Sequence, residues 1–425
     1  MSSPRRIFPG YTVAGVATLA TLATAPGQTF IVSQLNTEPI RDMLGISSLR
    51  FNNTYALATV LAAFPLVITG ALTDRLGPRR MLAIVAVAFA LGCVVMSRAH
   101  GLATLFLGFF CLRFLGQGSL ALVASHSVAM WFHRRLGSIS GVKTVIIFAL
   151  WASLPQLNIA LMNSYGWRQT YLIFAVAIVV LVVPPALLLV RDRPEDLGLR
   201  TDNDPADAPH GPRVGTLPPP PPEASFTLKQ ARRTGAYWIL AAATVLPGFV
   251  GTAILFDIIP IVIEKGFEQT AAEATAANAV SVWSFTMAAI AIPAGIITDR
   301  ARPALVIVVS LVIAAAATMG ILYARTPLQI AGGMIVYGLG MSLTSSCAGA
   351  TVARYFGRLH HGKIRSSLTR LAVIGTGLGP VVTGLSQDQT GSYRPALWTF
   401  AVLTLLAGTL ALALRTPSLP TNEPS

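Results

Sequence analysis

The chain has 425 residues, of which 53% are hydrophobic and only 11% charged, where a soluble protein carries about 25% charged residues. With a mean hydropathy of +0.65, this composition excludes a soluble domain of useful size and points to a polytopic membrane protein in the lipid bilayer. The net charge of +14 sits in short loops between apolar runs, with no basic stripe interleaved with aromatics, so nucleic acid is not an expected partner.

Arg5 and Arg6 precede the first apolar run, which starts at Tyr11. Ala23-Thr24-Ala25 has the form of a small-residue cleavage site. The run continues beyond it through Phe30 and Val32, so a retained first span is expected. About twelve spans follow by length and polar punctuation. The first six cover approximately 11–33, 50–72, 81–98, 103–130, 138–163 and 169–190. The second six cover approximately 235–263, 272–297, 303–323, 328–352, 366–386 and 395–415. The expected organisation is an N-terminal half, 1–190, a cytoplasmic linker, 191–233, and a C-terminal half with its tail, 234–425.

Between the second and third spans lies Gly70-Ala71-Leu72-Thr73-Asp74-Arg75-Leu76-Gly77-Pro78-Arg79-Arg80, a dense polar turn in a chain that rarely shows a charge. A weaker copy, Gly295-Ile296-Ile297-Thr298-Asp299-Arg300 followed by Arg302-Pro303, lies roughly 225 positions on. Gly137 and Pro155 pair with Gly362 and Pro380 at a similar offset, and Gly166 pairs with Gly391. Shared register at three places marks a duplicated chain. Two six-helix halves with the same fold are therefore expected to face each other across a central cavity.

The linker opens with Arg191-Asp192-Arg193-Pro194-Glu195-Asp196-Leu197-Gly198 and carries a proline run, Pro218 to Pro222, read as an extended spacer rather than an SH3-type ligand. With the N-terminus inside, about 21 of the Lys and Arg residues fall on the cytoplasmic side and about 7 outside. The inside set includes Arg79, Arg80, Arg134, Arg135, Arg232, Arg233, Arg358 and Arg365; the outside set is Arg41, Arg50, Arg98, Arg168, Lys265, Arg325 and Arg394. Both termini are then cytoplasmic. Cys93, Cys111 and Cys347 lie in apolar runs without metal-ligand spacing and read as small buried hydrophobes, so no metal and no cofactor is expected.

These residues resemble the major facilitator superfamily. Gly70 to Arg80 is similar to the superfamily's signature loop, and the resemblance extends over nearly the whole chain. Three segments resemble the bacterial monocarboxylate-transporter-like and oxalate–formate-antiporter-like branch: Trp131 to Gly141, Arg191 to Leu199, and Tyr355 to Ile364. The resemblance implies an all-α fold of about twelve transmembrane helices and transport of a small organic anion. The fifth span, Ile147 to Pro155, lacks the glycines of the twelve-helix drug–proton antiporters; a glycine run occurs instead in the eleventh, at Gly375, Gly377, Gly379 and Gly384. The arginine that phosphate-ester antiporters place in the first helix is also missing, since Tyr11 to Gln34 has none.

An ionisable side chain in the hydrocarbon is costly, so each needs a reason. Arg113, Lys143 and Arg370 are the candidate substrate-binding cations, because a guanidinium fork suits a carboxylate. Each has a plainer reading. Arg113 matches the superfamily's fourth-helix arginine, which is often structural; Lys143 and Arg370 lie near the inner headgroups, which Lys143 could reach by snorkelling. Gln28, Gln156 and Asn158 are weaker candidates, because amides also join helices in membranes. Asp257, in the seventh span before Pro260, is the candidate proton carrier, or the partner of a nearby cation. His126 reads as a hydrogen-bonded core residue that could titrate near neutral pH. The signature loops, with Gly70, Asp74, Arg75, Gly77, Arg79 and Arg80 and with Gly295, Asp299 and Arg300, read as gating or structural elements. Their carboxylates sit where they can accept hydrogen bonds from a helix N-terminus and pair with arginine.

A membrane enzyme would need a polar cluster that is not legible here. The expected function is secondary active transport of a small organic anion across the cell membrane, coupled to protons, by a monomeric carrier. Anion exchange, export of a hydrophobic compound and a transporter-like sensor are the alternatives.

Overall fold

The computed structural model describes residues 8–132, 135–203, 226–356 and 361–417. Within these, the side chains of Glu38, Pro39, Asp74, Leu136, Gly137, Asp299, Gly349, Ala350, Ala353, His361, Gly362, Lys363, Arg365 and Ser366 are excluded from the description. The expectations for Arg5, Arg6, Arg134, Arg358 and the Pro218–Pro222 spacer lie outside the described residues. The chain forms two compact units, Met1–Pro209 and His210–Ser425. Among the described residues the structure is helical, with eleven helices long and apolar enough to cross a membrane.

The first unit contains α1 (Pro9–Leu22), α2 (Thr29–Val32), α3 (Glu38–Leu44), α4 (Ser48–Ala62), α5 (Leu66–Leu76), α6 (Pro78–Ser97), α7 (Leu102–Cys111), α8 (Ala121–Trp131), α9 (Leu136–Trp151), α10 (Leu154–Tyr165) and α11 (Trp167–Leu189). Here α11 packs on α6, α4 on α7, and α1 on α8. Several expected spans are interrupted, each for a local reason. The second span breaks before Pro65 and the fifth before Pro155, since an interior proline supplies no amide and clashes with the preceding turn. In the fourth, residues Leu112–Leu120 form a π-helix, a local widening that recurs at functional sites.

The first span departs most from expectation. Instead of one helix over 11–33, α1 stops at Leu22, followed by 3-10 turns at Ala25–Gly27 and Ser33–Leu35 on either side of α2. Pro26 and Gly27 oppose continuation of an α-helix. Gly27 is required by contact, since a Cβ there would meet the Leu112 carbonyl oxygen at 2.4 Å.

The second unit contains α12 (Leu228–Arg232), α13 (Gly235–Phe256), α14 (Ile258–Glu264), α15 (Gln269–Arg300), α16 (Pro303–Tyr323), α17 (Pro327–Phe356), α18 (His361–Thr390) and α19 (Arg394–Ala411). α15 and α16 pack on α17, α16 on α19, and α13 on α18. Phe226, Tyr237, Leu240, Ile307, Phe356 and Leu368 belong to one buried apolar cluster. Two of the eleventh-span glycines serve the packing of α18 on α13. A Cβ on Gly379 would lie 2.2 Å from the Phe249 carbonyl oxygen, and one on Gly375 would lie 2.6 Å from Val245 Cγ1. Gly375 and Gly379 are one helical turn apart, the spacing with which small residues let membrane helices approach closely.

Gly166 precedes α11 with φ 79° and Gly391 lies just before α19 with φ 69°, positive values that glycine adopts without a Cβ penalty.

Candidate functional site

Among the described residues, each unit holds one buried charge within its spans: Arg113 in the first and Asp257 in the second. Arg113 lies on the π-helical segment and is 6% exposed. Its Nη1 donates to the Gly27 carbonyl at 3.4 Å and to Thr29 Oγ1 at 3.5 Å, both long contacts. Its guanidinium carbon stands 5.2 Å from the centre of the Tyr55 ring, a distance at which the negative ring face attracts a cation. Tyr55 and Thr29 hydroxyls bond each other at 2.9 Å. Arg113 Nε is buried without a hydrogen-bond partner among the described residues. A guanidinium offers five donors, and this one is held by an aromatic face and two marginal contacts. It therefore retains capacity for a planar anion.

The broken first span organises the surroundings. Gln28 donates to Thr24 Oγ1 at 2.9 Å. Gln34 donates to the Pro155 carbonyl at 3.2 Å and accepts from Asn158 Nδ2. Phe30 packs against Trp151 with ring centres 5.5 Å apart. Gln28 thus adjoins the Arg113 contacts, whereas Asn158 belongs to a buried amide pair that ties α10 to the first span. Gln156 and Lys143 are partly buried on α10 and α9, and Lys143 makes no hydrogen bond or ion pair with the described residues. Thr29, Tyr55 and Gln34 were not singled out in the sequence. The signal for them was Pro26-Gly27, which marks where span one must open and be served by side chains.

In the second unit Asp257 is fully buried at the junction of α13 and α14. The span breaks at Asp257 itself, whose φ is −103° and ψ 17°. Pro260 then sits in the first turn of α14, where an amide would lack an intrahelical partner in any case. Thr383 Oγ1, on α18, bonds Asp257 Oδ2 and also lies 3.0 Å from the Pro380 carbonyl oxygen. A hydroxyl has one proton to donate and can accept another bond. It can donate to an ionised Asp257, or accept from a protonated one while donating to Pro380. Both states of the carboxyl are served without moving the backbone. Arg370 is exposed on the same helix, about 20 Å along it from Thr383 at 1.5 Å per residue, so it is not placed against Asp257.

The signature turn has its own geometry. Gly77 has φ 80°, and a Cβ there would lie 2.5 Å from Asp192 Oδ1. That carboxylate accepts the Arg79 amide at 2.8 Å, and Arg79 Nε donates to the Leu187 carbonyl at 2.9 Å. The acid at the N-terminus of α6 is therefore Asp192, from the segment after α11. Asp202 repeats the device, accepting the Arg135 amide before α9 at 3.1 Å. Arg75, Arg80 and Arg300 are exposed. Gly70 and Gly295 have open space where a Cβ would stand, so neither is required by packing. In the second unit Arg354 donates to the Thr298 carbonyl at 3.2 Å, beside Asp299.

Three comparisons fit this architecture. The sequence profile described as Major Facilitator Superfamily matches residues 17–276 and 268–425. An uncharacterised MFS-type transporter of Escherichia coli K12, YhjX, is 24% identical over 274 residues, spanning 64% of this chain and 62% of that protein's length. Among solved structures, a D-xylose–proton symporter superposes with a TM-score of 0.71 at 13% identity, covering 94% of this chain and 97% of the other. A bacterial homologue of the human lysosomal transporter Spinster, inward-facing and unoccupied, gives 0.67 at 14% identity, covering 97% of each chain.

Proposed function

The chain belongs to the Major Facilitator Superfamily, and from that premise we propose that it carries a small organic anion, in symport with a proton, by alternating access. It is a multi-pass membrane protein and a transporter rather than an enzyme. The observation that carries the cargo proposal is Arg113. It is a buried, permanently charged guanidinium, and the described residues give it long contacts, an aromatic face and a free Nε. A buried cation is retained only where something compensates it, and a carboxylate docked on the fork would do so with two charge-assisted bonds. Gln28 beside that contact, and Lys143 and Arg370 on their own helices, are proposed as secondary contributors of polarity. Gln156 and Asn158 are proposed to line the path.

Asp257 is the proposed proton carrier, with Thr383 accommodating both of its states. The fold is one on which a D-xylose–proton symporter is also built, so proton coupling is compatible with it. The cytoplasmic placement of both termini and a monomeric carrier in the cell membrane belong to the same proposal; the charge bias supports the orientation. The proposed gating elements are the two signature turns. The test is uptake of labelled mono- and dicarboxylates into proteoliposomes under an imposed pH gradient, preceded by a thermal-shift screen of the same acids. Accumulation that collapses with the gradient is expected for at least one acid. Absence of both uptake and thermal shift across the panel would sink the proposal.

A further inference from the structure

At the end of the second unit where α14 leads into α15, α16 into α17, and α18 into α19, three cations converge on one cavity. It has a volume of about 220 Å³ and is lined by Lys265, Arg325, Arg394, Glu264, Tyr323 and Tyr393, among others. The three basic residues come from three different connections and are far apart in sequence, so their meeting is a product of the fold.

We propose that this cavity is a binding site for a phosphate-type oxyanion, separate from the proposed cargo site at Arg113. The single carboxylate in the cavity is already engaged: Glu264 accepts from the Ser392 hydroxyl with one oxygen and from the Tyr393 amide, at 2.8 Å, with the other. Lys265 donates one of its three N–H groups to the Leu322 carbonyl at 2.7 Å, capping the end of α16. The guanidinium groups of Arg325 and Arg394 make no hydrogen bond or ion pair with the described residues. The lining therefore holds three positive charges against one negative. Two planar forks and two spare ammonium protons remain for an incoming anion.

Lys265 also registers the crowding. Burial pushes its ammonium below the usual lysine range; Glu264 pulls it back and Arg394 pushes it further down. A bound anion relieves that strain. Beside the cavity, exposed Tyr323 and Trp398 meet edge to face with ring centres 6.2 Å apart. Exposed Tyr and Trp mark the headgroup level of a bilayer, so the oxyanion could come from a phospholipid headgroup or from solution.

The experiment uses the full-length protein in phosphatidylcholine nanodiscs, with inorganic phosphate as one probe and phosphatidylglycerol doped into the discs as the other. The variant is Arg325→Gln/Arg394→Gln, with Arg325→Lys/Arg394→Lys as the control that keeps charge. Both arginines are exposed, so the fold should tolerate the exchange. Wild type should be stabilised against heat by one probe or both. The apparent affinity should fall by about tenfold or more in the glutamine variant and be partly restored in the lysine variant. A response to phosphate assigns a free oxyanion; a response to phosphatidylglycerol alone assigns a lipid headgroup. Equal responses of wild type and the glutamine variant, or no response to either probe, overturn the site. Transport by Arg113 variants does not enter this readout, so the two proposals fail independently.

Discussion

Asp192 and Arg79 are joined by a 2.8 Å hydrogen bond from the Arg79 amide to Asp192 Oδ1, across the turn at Gly77. The segment after α11 thus caps the helix that begins at Pro78. Gly77→Ala should be destabilising by about 2–4 kcal/mol, combining the strain of a positive-φ extended backbone with displacement of the cap. Gly166→Ala has the same kind of φ but open space around the new methyl. It should cost only the backbone strain, about 1–3 kcal/mol, without the loss of a cap. Thermal unfolding in detergent separates the two, and equal midpoints for both variants would contradict the cap.

Asp74→Asn should reduce transport while leaving the protein folded in the membrane, as expected if the signature turn takes part in gating. The comparison is of initial uptake rates at equal expression. A wild-type rate would remove Asp74 from the mechanism.

Arg113→Gln should raise the dissociation constant for the cargo by about tenfold or more, since one desolvated bond to a charged group is worth roughly 1.5–3 kcal/mol. Tyr55→Phe keeps the ring face toward the guanidinium but loses the bond to Thr29, so its effect should be smaller, about 0.5–1.5 kcal/mol. Titration of purified protein with the acid found in the screen measures both. Unchanged affinity in Arg113→Gln would make the arginine structural.

Asp257→Asn should abolish accumulation against a gradient and leave exchange of labelled for unlabelled cargo largely intact, because exchange does not require the carrier to release its proton. Thr383→Val removes the hydroxyl that serves both states of the carboxyl and should slow gradient-driven uptake more than exchange. Both activities are read in the same proteoliposomes. Full accumulation by Asp257→Asn excludes the residue as the proton site, and loss of both activities reassigns it to packing or cargo binding.

Gly379→Ala should destabilise the second unit more than Gly375→Ala. The first methyl meets a backbone oxygen on α13, whereas the second meets the end of a valine side chain that can rotate. Chemical unfolding of the two variants gives the order directly; the reverse order would mean that α13 and α18 can separate freely.

The repeated helices were legible because their apolar runs are long and the polar turns between them recur at one offset. Gly166 and Gly391, paired by position alone, both have positive φ. The interruptions were less legible. A proline in an apolar run does not by itself give the position of a break: the seventh span breaks at Asp257, three residues before Pro260, and the fifth between Trp151 and Leu154. The acid at Asp192 could not be read from the turn it caps, because it lies far away in sequence and joins Gly77 only through the packing of α11 on α6. Arg113 was visible as a rare charge in an apolar run. Its partners Thr29 and Tyr55 were not, since hydroxyls are common in spans and only tertiary contact distinguishes these two.

The broken first span has a consequence for how the chain enters the membrane. At 1.5 Å per residue α1 reaches about 21 Å, short of the roughly 30 Å hydrocarbon core. The remainder of the span is the turns around α2, and carbonyls at this break are served from later in the chain: Leu22, at the end of α1, by Trp151, and Gly27 by Arg113. The first span therefore draws on the fourth and fifth for these carbonyls, and its crossing is expected to be completed only once those spans are present. Nascent chains arrested before Arg113 should hold residues 23–35 open to a water-soluble labelling reagent, and chains extended beyond Asn158 should protect them.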